Sequence, residues 1–97
     1  MSILIVGGDR LGNIYSNLQN RGFEQINHIS GRKTGQLRLQ IPGNTDLILV
    51  LTDYINHELA QKIKKRAKRD NAKVIFSKRS WPHIEKAIFF SSDLLAL

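Results

Sequence analysis

Apolar residues follow two rhythms along this chain. Ser2–Val6 and the run "DLILVL" at 46–51 are short and almost continuously apolar, as strands buried on both faces are. Glu24–Ile29 ("EQINHI") and "AKVIF" at 72–76 read as two further short strands. Between them the spacing changes to three and four residues, the period of one helix face. Leu11, Ile14, Tyr15 and Leu18 mark a first helix from about Leu11, which Gly22 ends. Leu59, Ala60, Ile63 and Ala67 mark a long helix up to Asp70. Ile84, Ala87 and Ile88 mark the last, with Ser80 as its N-cap and Pro82 in its first turn. "LRLQI" inside 31–45 alternates as a strand does. A β-α-β series needs a crossover at that point, however, and this predicts a short irregular helix.

Strands alternating with helices imply a parallel sheet covered on both sides. The predicted fold is α/β: a small Rossmann-like three-layer sandwich with four parallel strands in the order 2-1-3-4. Residues 1–97 are expected to form a single domain, with the thin stability margin of a short chain. The C-terminal "IFFSSDLLAL" is more apolar than the edge of such a domain requires. It either folds back on the core or, as the favoured expectation, makes a homodimer contact.

Charge narrows the partners. Fifteen Lys and Arg stand against eight Asp and Glu, a net +7, which favours anionic small molecules, nucleic acid or an acidic partner. Six basic residues fall within "KIKKRAKR" at 62–69. The apolar stripe must face the sheet, so Lys62, Lys64, Lys65, Arg66, Lys68 and Arg69 line the outside of the long helix. That face is either solvated or a nucleic-acid contact. There is no cysteine, and His28, His57 and His83 lack ligand spacing, so no metal site is expected. Neither a membrane span nor a signal peptide is legible, and a cytoplasmic location is expected.

Ligands of open parallel sheets bind outside the carboxyl ends of the strands. Four polar loops stand there: "GGDRLGN", "SGRK", "TDYINH" and "SKRSW". They supply Gly7, Gly8, Asp9, Arg10, Gly12, Asn13, Arg32, Lys33, Thr52, Asp53, Asn56, His57, Ser77, Lys78, Arg79 and Ser80. The candidate ligand is anionic, with a nucleotide as its expected form. Gly7 and Gly12 match the first and third glycines of the dinucleotide fingerprint, but Asp9 replaces the second, which lets the backbone approach a pyrophosphate. Arg32 and Lys33 follow strand two where an acidic ribose ligand would be. A basic pair there can accommodate a 2′-phosphate, yet the broken glycine pattern counts against ordinary dinucleotide binding. The plain reading of "GGDR" is a tight turn in which Asp9 caps the first helix.

Asn56 can cap the long helix. His57, at that helix N-terminus, is disfavoured as a cation and suited to recognition or general base work, or is simply exposed. Asp53 and His57 are candidate catalytic groups. No serine stands in a nucleophile elbow, so the balance leans away from an enzyme. Lys78 and Arg79 precede a helix N-terminus and form an anion-binding corner. Trp81 either staples that helix to the sheet or stacks on a base, with packing the simpler role.

Taken together, "ILIVGGDRLGN", "LVLTDYINH" and "IFSKRSW" resemble a family of small bacterial Rossmann-like proteins known as a domain of unknown function. The resemblance runs from Ser2 to about Ala87. It implies Gly7, Gly8, Asp9, Arg10, Gly12 and Asn13 as one family block. Thr52, Asp53, Asn56 and His57 make a second, and Ser77, Lys78, Arg79, Ser80 and Trp81 a third. Tyr54 replaces a phenylalanine usual in the family, and 31–45 and 89–97 resemble it least. The resemblance implies the fold and the place of a site, and brings no activity with it. Three functions are therefore carried forward. The first is binding or sensing of a phosphate-bearing small molecule. The second is nucleic-acid binding through Lys62, Lys64, Lys65, Lys68 and Arg69, and the third is acid–base catalysis by Asp53 and His57.

Overall fold

A computed structural model of the chain describes residues 1–8, 10–29, 43–54 and 57–90. The elements are β1 (Ser2–Val6), α1 (Asn13–Asn20), β2 (Gln25–Ile29), β3 (Leu47–Leu51), α2 (His57–Asp70), β4 (Lys73–Ser77) and α3 (Trp81–Phe90). A 3-10 turn, Thr52–Tyr54, follows β3. The four strands form one sheet in the order β2-β1-β3-β4, and every pairing is parallel. This is the order expected from the sequence.

Burial explains the two continuous apolar runs. Every residue of β1 and of β3 is buried, because these are the central strands and helices cover both faces. Alternate side chains point to opposite faces. Ile3, Ile5, Leu47, Leu49 and Leu51 pack against Ile14 and Leu18 of α1 and Ile84 and Ile88 of α3. Leu4, Val6, Ile48 and Val50 pack against Leu59, Ile63 and Ala67 of α2. The apolar stripes predicted for the three helices are thus the faces they bury.

Backbone bonds fix the strand starts and helix ends. The Ser2 amide donates to Asp46 Oδ2 at 2.7 Å, and the Asp46 amide returns a bond to the Ser2 carbonyl at 3.0 Å. This pair sets the register of β3 on β1. At the end of α1 the Phe23 amide donates to the Leu18 carbonyl and the Gly22 amide to Gln19, a Schellman closure with Gly22 at φ +100°. Asn71, at φ +60°, closes α2 in the same way through Ala72 and Ala67.

Some expectations move. α1 starts at Asn13, not near Leu11, because Gly12 takes φ +54° and serves as the N-cap. The capping role read for Asp9 falls on a residue outside those described. The helix expected over 31–45 falls on residues outside those described, save for the turn that starts at Gly43, and so does 91–97 of the apolar tail. Among the described residues no helix is long and apolar enough to cross a membrane.

Candidate functional site

The loop after β1 is built by what touches its two glycines. Gly7 takes φ +108°, and a Cβ there would stand 2.8 Å from the Leu51 carbonyl oxygen. Only glycine lets the chain turn this close to the end of β3. The Gly7 amide donates to the Ile29 carbonyl at 2.8 Å, tying the same turn to β2.

His28 holds the other side of the turn. Its Nε2 lies 2.9 Å from the carbonyl oxygens of both Gly7 and Gly8. Carbonyls only accept, so this nitrogen carries the hydrogen and shares it between them. Sequence reasoning weighed His28 only as a metal ligand. The available signal was its place one residue before the end of a strand adjacent to β1, within reach of the turn that follows β1.

Arg79 joins the remaining loops. Its side chain passes over Gly8, where an added Cβ would meet Nε at 3.5 Å. Its guanidinium Nη2 donates to the Arg10 carbonyl. Its backbone amide donates to Asp53 Oδ2 at 2.9 Å. Thr52 Oγ1 donates to the Ser77 carbonyl at 3.3 Å, and the Ser77 hydroxyl donates to the Lys78 carbonyl at 2.9 Å. The loops after β1, β3 and β4 therefore form one connected surface.

Several sequence-predicted site residues meet here: Gly7, Gly8, Arg10, Thr52, Asp53, Ser77, Lys78 and Arg79. Gly12 and Asn13 start α1, which among the described residues has no side-chain cap and has no acid in its first turn. His57 opens α2 and is exposed, and the carboxylate of Asp53 bonds the Arg79 amide rather than the imidazole. Asp9, Arg32, Lys33 and Asn56 lie outside the described residues. Ser80 precedes α3, and its carbonyl accepts from the Ile84 amide. Its hydroxyl, however, lies 2.6 Å from His83 Nδ1, a partner that sequence reasoning missed. The spacing of a cap residue and its third follower was the available signal. Trp81 packs half-buried against the α1–α3 core, which meets the packing expectation.

A cleft of about 380 Å³ adjoins this surface, between β4 and α3. Thr52, Ser77 and Lys78 line its upper end. Lys62, Lys64, Lys65, Lys68 and Arg69 are exposed on α2, as expected, while Arg66 is half-buried and pairs with Asp70 at 3.7 Å. Among the described residues no group of three or more His, Asp or Glu side chains could hold a metal ion.

Among the described residues the site carries Arg10, Lys78 and Arg79 against the single carboxylate of Asp53. Such a surface can hold an anion. The sequence model of a family described as an uncharacterized protein conserved in bacteria (DUF2325) matches residues 2–89. No curated protein and no solved structure matches the chain.

Proposed function

We propose that this chain, which belongs to the DUF2325 family of uncharacterized bacterial proteins, binds a phosphate-bearing small molecule outside the carboxyl ends of β1, β3 and β4. A nucleotide is the simplest ligand of that class. The observation that carries this reading is Arg79, which touches the loops of all three strands and, among the described residues, spends one guanidinium donor, on the Arg10 carbonyl. Arg10 and Lys78 flank it and supply the contacts to the phosphate. The amides at the start of α1, whose N-cap is the side-chain-less Gly12, add the donors that a helix N-terminus offers an anion.

Asp53 and His28 act through the backbone in this scheme. Asp53 fixes the amide of Arg79, and His28 fixes the two glycine carbonyls. A loop set so firmly before the ligand arrives loses less entropy on binding. His57 would recognise polar groups at the rim. Asp53 is already engaged by an amide, which favours binding or sensing over acid–base catalysis by these two residues.

The test is thermal unfolding with a panel of nucleotides, dinucleotides and phosphate. A ligand at a hundred times its Kd stabilises the native state by about 2.7 kcal/mol. For a domain of this size that raises Tm by roughly 10–20 °C. The double variant Arg10→Ala, Lys78→Ala should lose most of the rise. A rise from none of the panel, or one the double variant retains, defeats the assignment.

A further inference from the structure

The outer side of α3 carries a pattern of its own. Ile84 and Ile88 are buried against the sheet. Pro82, Glu85, Lys86 and Phe89 are all exposed and lie on the side away from it. At about 100° per residue, Pro82 and Phe89, seven positions apart, fall almost in line. Glu85 and Lys86 stand about 50° to either side of that line. With Arg21 and Phe90 these four residues line one cavity of about 510 Å³.

The stripe is apolar along its middle and oppositely charged on its two flanks. Phe89 is 65% exposed and Phe90 71%, and an adjacent pair of rings this open marks a contact surface. The two rings meet edge to face with 5.8 Å between centres, so Phe90 braces Phe89. Each flanking charge has a neighbour that steadies it. Arg21 Nη1 lies 3.5 Å from Glu85 Oε2, and Lys86 Nζ lies 5.9 Å from the Phe90 ring centre.

This pattern is its own complement, and that selects the occupant. A two-fold axis running parallel to α3 beside the stripe would bring Pro82 to Pro82 and Phe89 to Phe89, closing an apolar seam. The left flank of one helix then faces the right flank of the other, so Glu85 of each copy meets Lys86 of the second. Antiparallel packing would set Glu85 beside Glu85 and Lys86 beside Lys86. A nucleotide or other anion would meet the Glu85 carboxylate within the stripe.

We propose that a second copy of the chain docks on this stripe, giving a parallel two-fold dimer. Pro82 and Phe89 form its seam, and two Glu85–Lys86 ion pairs flank it. The seam is only about 10 Å long. An interface this small lies at the low end for specific complexes, so the dimer forms reversibly as concentration rises. Arg10, Lys78 and Arg79 stand outside the stripe, so the dimer stands or falls independently of the phosphate site.

The test is sedimentation velocity of the full chain over a concentration series, in which the parent should pass from monomer to dimer. Glu85→Lys sets two lysines together on each flank, and Lys86→Glu sets two acids. Each variant should be monomeric where the parent is dimeric. Mixed in equal amounts, the two restore both ion pairs and should form a heterodimer. Phe89→Ser should raise the dissociation constant by about tenfold or more. Lys65→Glu makes the same charge change on α2, across the sheet, and should leave association unchanged. All these positions are exposed, and circular dichroism would check that each variant folds. The chain has no cysteine, so Pro82→Cys supplies one thiol per copy, and mild oxidation should link the two copies through it. The proposal is overturned if the parent is a monomer throughout the series, as it would be were the stripe covered within its own chain or reserved for a different protein. It is also overturned if the charge variants dimerise like the parent, if their mixture stays monomeric while both are folded, or if the Pro82→Cys variant does not cross-link.

Discussion

Gly7 and Gly22 provide an internal comparison, because their backbones take nearly the same φ, +108° and +100°. Alanine at either position is forced into a region that costs an L residue about 1–2 kcal/mol. What surrounds them differs. A Cβ at Gly22 meets nothing within 4 Å, whereas one at Gly7 lies 2.8 Å from the Leu51 carbonyl oxygen and 3.2 Å from Leu51 Cβ. Leu51 is fully buried and paired with Ser77 of β4, so it recedes only if the end of β3 moves. Overpacking of that kind costs about 1–3 kcal/mol. Gly22→Ala should thus lose about 1–2 kcal/mol and Gly7→Ala about 2–5 kcal/mol, the sum of the same strain and the clash. The difference corresponds to a Tm lower by roughly 4–24 °C for Gly7→Ala. Urea and thermal unfolding followed by far-UV circular dichroism would measure both variants. Equal losses at the two positions would show that strain alone decides, and that the approach of the β1 turn to β3 carries no energetic weight.

The other predictions concern the bonds that hold the loops. His28→Ala removes the donor shared by the Gly7 and Gly8 carbonyls and should cost about 1 kcal/mol in urea unfolding. His28→Gln, which keeps an N–H, should recover part of that; an alanine variant as stable as the parent would show the bonds to be ornamental. Asp53→Ala takes the acceptor from the Arg79 amide. Hydrogen exchange at that amide should accelerate about fivefold, from a loss near 1 kcal/mol, with exchange in β3 unaltered. Acceleration spread through β3 would mean that Asp53 supports the sheet rather than the loop.

The sheet was legible because its central strands are unambiguous. Few patterns other than a strand buried on both faces produce "ILIV" and "LILVL" between polar turns, and the order followed from parallel connectivity. β4 was harder to bound, since exposed Lys73 and Phe76 interleave with buried Ile75 and Ser77. α1 was placed too early because a helical spacing includes Leu11, while the backbone is decided by Gly12 in a left-handed conformation. The candidate site was legible as a place: Gly7, Gly8, Arg10, Asp53, Lys78 and Arg79 do meet. Their roles were not. Propensity describes a residue's own backbone, whereas Arg79 matters through bonds to residues 26 and 69 positions away. His28 likewise acts 20 and 21 positions away, across a strand pairing that no local pattern encodes.

The place of β1 in the sheet has a consequence for biosynthesis. Of the four strands described, β1 is synthesised first and becomes an inner one, and its partners on the two sides arrive later, as residues 25–29 and 47–51. The bonds that align it with β3 join residues 44 positions apart. Until that length has emerged, "SILIV" has only one of its two neighbours, and the face of Leu4 and Val6 lacks α2, a condition that invites chaperones and self-association. Nascent chains stalled before residue 47 should therefore remain protease-sensitive, and native protection should arise in one step once β3 clears the exit tunnel.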